Sequence, residues 1–116
     1  MKRVGIQDLS LIRGTVDMLI LKALSRGALH GYAVSEWIQA VTDGALLVEE
    51  GTLYPALHRL QAKDWIDAEW GLSENNRRAK YYSLTAEGTA QLERERVAWR
   101  EYSAAVAKAL SSDATA

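Results

Sequence analysis

Between Gly51 and Trp70 the hydrophobic repeat changes its period, and this constrains the fold more than any other stretch of the chain. Over 51–63, Leu53, Ala56, Leu57 and Leu60 recur at i, i+3, i+4 and i+7, which places them along one side of a helix. The other side carries Pro55, His58, Arg59 and Ala62, flanked by Tyr54, Gln61 and Lys63, and it has no carboxylate. From Trp65 the repeat is two: Ile66, Ala68 and Trp70 alternate with Asp67 and Glu69, as on a half-buried strand. Gly71 to Asn76 signals a turn. Residues 80–84, Lys-Tyr-Tyr-Ser-Leu, are strand formers able to pair back as a hairpin.

A helix followed by a hairpin with a basic tip is a wing arrangement, in which the helix enters a major groove while the tip reaches the neighbouring backbone. Cations are needed at both places, and Arg59, Lys63, Arg77, Arg78 and Lys80 fall there. In isolation the helix reads as an ordinary amphipathic surface helix, and the arginine run as a solvated hairpin tip.

Before this unit, Ile12, Val16, Leu19, Ile20, Ala23 and Leu24 make one helical stripe, with Leu11, Met18 and Leu21 outside it. A helix apolar nearly all round in so small a domain is expected to meet a second subunit. Gly27 and His30-Gly31 interrupt the pattern. A second helix follows with Val34, Trp37, Ile38 and Val41 inward, ending near Asp43-Gly44. Leu46 to Val48 is too short for a helix and is expected to add a third strand to the hairpin. The start of the helix after it stays open, because Pro55 strains an early turn and Thr52 is available as a late cap.

Thr85 is placed to cap a last helix, with Glu87 near its positive end. Leu92, Trp99, Tyr102, Val106 and Leu110 continue it at spacings of seven, three and four. A helix over 85–110 would be about 39 Å long, more than one small domain uses internally, so a twofold homodimer joined through the terminal helices is expected. Residues 1–8 and 111–116 read as frayed ends.

At 116 residues the chain is one domain with one core. Its net charge of −1 supplies no global basic field, but Glu87, Glu93, Glu95 and Glu101 lie beyond the hairpin, and local charge decides groove binding. The absence of cysteine removes disulfides and thiolate chemistry, and fits a reducing compartment. No run is long enough to span a bilayer, so a cytoplasmic location is expected. His30 and His58 lack companions at metal-ligand spacing and read as surface or turn residues. Glu49-Glu50 is better explained by a helix dipole than by acid/base work, and no phosphate-cradling loop or nucleophile elbow occurs, so no enzyme, metal or cofactor is expected.

With those residues in view, the sequence resembles the short form of the PadR family of bacterial transcriptional repressors. The resemblance rests on His30-Gly31-Tyr32, on Gly51-Thr52-Leu53-Tyr54-Pro55-Ala56-Leu57 with Arg59-Leu60, on Arg77-Arg78-Ala79-Lys80-Tyr81-Tyr82, and on Leu84-Thr85-Ala86-Glu87-Gly88, in register over about residues 9–110. Glu49 departs from it, standing where a small capping residue is common. Asp64 stands where a glycine usually ends the helix, although Asp tolerates a left-handed backbone.

The resemblance implies a mainly α fold with a small antiparallel β-wing. The expected organisation is a winged helix-turn-helix over 1–84 and a C-terminal dimerisation helix over 85–110. The implied function is a homodimer that binds double-stranded DNA at a palindromic operator and is released by an effector. Candidate DNA contacts are Tyr32, Thr52, Tyr54, Pro55, His58, Arg59, Lys63, Arg77, Arg78 and Lys80. Candidate dimer contacts are Leu11, Met18, Leu21, Leu92, Trp99, Tyr102, Val106 and Leu110. Trp99 resembles a tryptophan that stacks on planar aromatic effectors in short members, and its other reading is plain packing in the dimer seam. The competing functional reading is a winged-helix adaptor that binds protein.

Overall fold

The computed structural model describes residues 9–113, with side chains from Thr15 onward, so Leu11, Ile12, the first eight residues and the last three lie outside what is described. The elements are α1 (Leu9–Leu24), β1 (Leu29–His30), α2 (Gly31–Val41), α3 (Glu50–Ala62), β2 (Ile66–Leu72), β3 (Arg78–Leu84) and α4 (Ala86–Ser111). The three strands form one antiparallel sheet in the order β1-β3-β2.

α1 is the hub, packing against α2, α3 and α4. Val16, Ile20, Leu21, Ala23 and Leu24 enter a core with Val34 and Ile38 of α2, the four apolar residues of α3, Ile66, Tyr82 and Leu92. This corrects two expected dimer contacts. Leu21 is fully buried within its own protomer and Leu92 nearly so, leaving neither a surface for a second chain. The apolar girth of α1 is thus largely used inside the protomer, because three helices surround it. Met18 is half-buried against the same core.

Two further expectations are corrected. The third strand is β1, where Leu29 pairs with Tyr82 and His30 with Tyr81, while Leu46 to Val48 forms only an isolated bridge at Leu46. Val41 is 54% exposed: it keeps the phase of Val34 and Ile38, but it is the last residue of α2 and lies beyond the core.

α3 begins at Glu50 with Glu49 as an N-cap that makes no side-chain capping bond, so Thr52 lies inside the helix. Its C-terminus is a Schellman turn: the Trp65 amide donates to Leu60 O at 3.1 Å and the Asp64 amide to Gln61 O at 3.0 Å, with Asp64 at φ 60°. The aspartate does there what glycine commonly does. Thr85 caps α4 by accepting from the Gly88 amide at 3.0 Å, and its hydroxyl donates to Asp64 O at 2.6 Å. Gly88 must remain glycine, because a Cβ there would overlap the Trp65 carbonyl. These contacts anchor the base of the hairpin to the start of α4.

Candidate nucleic-acid interface

The start of α2 is fixed from two sides. His30 Nδ1 accepts the Ala33 amide at 3.1 Å as the N-cap, and its ring meets Tyr81 edge-on at 5.6 Å. His30 is therefore a half-buried cap, more than the surface or turn residue expected from sequence. Gly31 is buried beneath Tyr54 of α3, and a Cβ on it would lie 2.7 Å from the Tyr54 hydroxyl and 2.9 Å from Cε1. The glycine thus seats the two helices of the helix-turn-helix on each other. Tyr32, next in sequence, is 65% exposed.

In the hairpin Trp70 pairs with Lys80 and Leu72 with Arg78, so these four share a face with Ile66, Ala68, Tyr82 and Leu84. That face starts in the core at Ile66 and Tyr82. Farther out it leaves the body of the protein, where Trp70 is 57% exposed. The Arg78 guanidinium carbon lies 4.4 Å from the Trp70 ring centroid. Arg77 sits in the connecting turn, which is closed by the Ser73 amide donating to Arg77 O at 2.8 Å, with Asn76 at φ 59°.

Between α2 and the hairpin runs a cleft of about 680 Å³ whose lining includes Tyr32, Tyr54, Trp70, Arg78 and Lys80, with Glu36 and Glu74 also on its walls. Tyr82 lies at its floor, and burial, followed by the neighbouring Tyr54, holds its hydroxyl above the ordinary 10.0. The Tyr82 hydroxyl therefore keeps its proton at neutral pH. Among the described residues Arg77, Arg78 and Lys80 have no carboxylate partner, the ion pairs being Arg59–Asp17 and Arg96–Glu93.

The remaining candidates do not converge on the cleft. Pro55 and His58 are exposed along the outward face of α3, and Thr52 is half-buried. Arg59 Nη2 donates to Asp17 Oδ1 of α1 at 2.8 Å, and Lys63 Nζ stands over the Trp65 ring at 4.7 Å, so with Arg78 over Trp70 the chain engages three of the five expected cations, of which Arg59 alone is met by a carboxylate among the described residues. Asp17, 42 residues away, carries no local sequence signal. The alternation of β2 gives Trp70 only an inward phase, and the length of the strand beyond the core is the signal that marks it.

On α4, Trp99 and Tyr102 are exposed and in ring contact at 6.3 Å, followed by Val106 and by Leu110 at 82% exposure. No helix among the described residues is long and apolar enough to cross a membrane, and none of their acidic and histidine side chains gather in a group able to hold a metal ion.

A helix pair whose second member stands beside a two-stranded basic wing defines the winged helix-turn-helix class. Residues 20–94 match the model of the Transcriptional regulator PadR-like family, and the chain belongs to that family. The fold is similar to that of a transcriptional regulator from Clostridium thermocellum, with TM-score 0.78 and 33% identity over 85% of this chain and 96% of that one. It is similar also to a PadR-like transcriptional regulator from Bacillus cereus, with TM-score 0.76 and 28% identity over 90% and 99% of the two chains. A protein of Lysinibacillus sphaericus, named only uncharacterized protein X, is 33% identical over 91 residues, 78% of this chain and 84% of its own length. Against the Transcriptional regulator YqjI of Escherichia coli, 32% identical over 83 residues, the chain spans 38% of the relative's length.

Proposed function

We propose that the protein is a DNA-binding repressor that grips a palindromic operator as a twofold homodimer and is released by an effector. The observation that carries DNA binding is the set Arg77, Arg78 and Lys80, uncompensated by carboxylates and standing on the hairpin beside the outward face of α3. Phosphate contact needs such free cations, while base reading needs a helix face without bulky anions. Tyr32, Thr52, Tyr54, Pro55, His58 and Lys63 supply the remaining polar and shape contacts in this reading. Arg59 reaches a base edge only by giving up Asp17, so its effect on affinity is the difference between two partners.

The dimer reading rests on α4. The stripe that buries Leu92 emerges with Trp99, Tyr102, Val106 and Leu110 uncovered, and a run of this kind favours a matching surface on a second copy. Residues 1–84 are then the reading unit and 85–110 the dimer helix. A planar aromatic effector would stack on Trp99, whose exposed ring borders Tyr102. Quenching of tryptophan fluorescence by such compounds, abolished by Trp99→Phe, tests this part of the reading; quenching that survives the substitution refutes it.

Titrating binding to the DNA upstream of the protein's own gene at several salt concentrations tests the whole. The expected result is a steep linear fall of log K with log salt, about 0.9 per phosphate contact. A flat response would replace the repressor with an adaptor that binds protein.

A further inference from the structure

We infer that Trp70 is a positioning residue that holds the Arg78 guanidinium in the cleft between the wing and α2, charged and aimed for a phosphate. The inference rests on the DNA-binding reading above and adds a residue that the reading does not use.

Trp70 has no packing role that accounts for an indole. It lies on the part of the hairpin that has left the core, and more than half of its surface faces water. Its ring is met by Arg78, the diagonal neighbour across the strand pair, at a range that long and aromatic side chains reach. An arginine held against an aromatic face keeps its full charge and gives up less freedom on forming each new hydrogen bond. Arg59 is the counter-example within the same molecule, since its charge is met by Asp17.

The cleft makes the indole necessary. Glu36 and Glu74 line the same space as Arg78, and either carboxylate offers an unrestrained guanidinium a place to settle. Stacking on Trp70 keeps Arg78 from being neutralised in that way. On this inference Arg78→Lys is not neutral: a lysine would carry the same charge but lacks the flat group that stacks.

The test is a double-mutant cycle on the full chain, read by fluorescence anisotropy with a mixed-sequence DNA duplex spanning two major grooves at low salt. Trp70→Ala should weaken binding roughly three- to fivefold. It should also lower the salt slope by up to about 0.9. Trp70→Tyr should stay within about twofold of wild type, because a smaller aromatic face still stacks. In an Arg78→Ala background the same Trp70→Ala change should cost nothing further.

Wild-type affinity for Trp70→Ala, or an equal loss in both backgrounds, would overturn the inference, the second by showing that Trp70 acts by itself. Melting curves check the fold. If Trp70→Ala loosens the hairpin, Trp70→Leu retains an apolar strand residue without the aromatic face and gives the same decision. Absence of salt-dependent binding by the wild type would instead remove the DNA reading, and this inference with it.

Discussion

The outward face of α3 and the inner face of the hairpin are built on opposite electrostatic plans. α3 presents Gly51, Pro55, His58 and Ala62, small or uncharged for the most part, and the arginine at its flank is held by Asp17. The hairpin presents Arg77, Arg78 and Lys80 with no carboxylate partner among the described residues, and it supports one of them on an indole. A face that must slide into a groove gains little from unspent charge, whereas a strand reaching a phosphate gains a great deal. On the proposed DNA-binding reading, this contrast gives shape and base reading to the helix and affinity to the wing. It also explains how a chain of net charge −1 can carry a locally cationic edge.

Removing the wing's charge should break the comparison most visibly. The triple change of Arg77, Arg78 and Lys80 to Ala should lower DNA affinity roughly hundredfold or more, at about 1 kcal/mol for each charged contact. Its melting temperature should stay near wild type, since all three side chains lie outside the core. Gel shift beside thermal melting checks both statements.

Gly31→Ala acts on the joint between the two regions. The added methyl would press on the Tyr54 ring, which lies against the glycine and lines the cleft, so a loss of about 1–3 kcal/mol is expected in chemical denaturation. Gly31→Ala combined with Tyr54→Ala should recover part of it by removing the clash.

Arg59→Ala should matter less. The pair with Asp17 is half-exposed on the arginine side, 50% against 18%, which limits its worth to well under about 1 kcal/mol. Its effect is expected in base preference, measured by selection from a randomised operator, with little change in overall affinity.

The smallest effect concerns the carboxylate behind that pair. Burial lifts the Glu95 carboxyl above its ordinary 4.5; Gln91, Lys63 and Arg94 oppose the lift, Asp17 adds to it, and Oε2 lies buried without a partner. A carboxyl raised on folding binds its proton more tightly in the folded state, so stability falls as pH climbs from about 4.5 through the folded value. The cost is present once pH exceeds the folded value and absent below about 4.5. Glu95→Gln should raise the melting temperature at pH 7 by roughly 1–3 °C, and the gain should vanish as pH drops below the ordinary value. In an Arg59→Ala background Asp17 loses its counter-charge, and the gain from Glu95→Gln should grow.

Much of this arrangement was legible in the sequence. The change of period between Leu60 and Ile66 marks the passage from α3 to the hairpin, Thr85 caps α4, and Asp64 takes the left-handed backbone that ends α3. What escaped notice depends on distant contacts. β1 is two residues long, too short to show a period, and exists because β3 lies beside it. Leu21 looked surplus on a helix apolar all round, and only the placement of three helices about α1 buries it. Trp70 keeps the inward phase of its strand after the core has ended, so alternation names its face but not its exposure. Arg59 looked free because its partner lies on another helix.

The division between a reading helix and a charged wing is tested most directly by comparing salt slopes of DNA binding for wild type, Arg59→Ala and the triple wing variant. The account predicts a drop of about 0.9 in slope for each wing cation removed that contacts a phosphate, and almost none for Arg59→Ala. A slope that falls with Arg59→Ala and holds in the wing variant would contradict it.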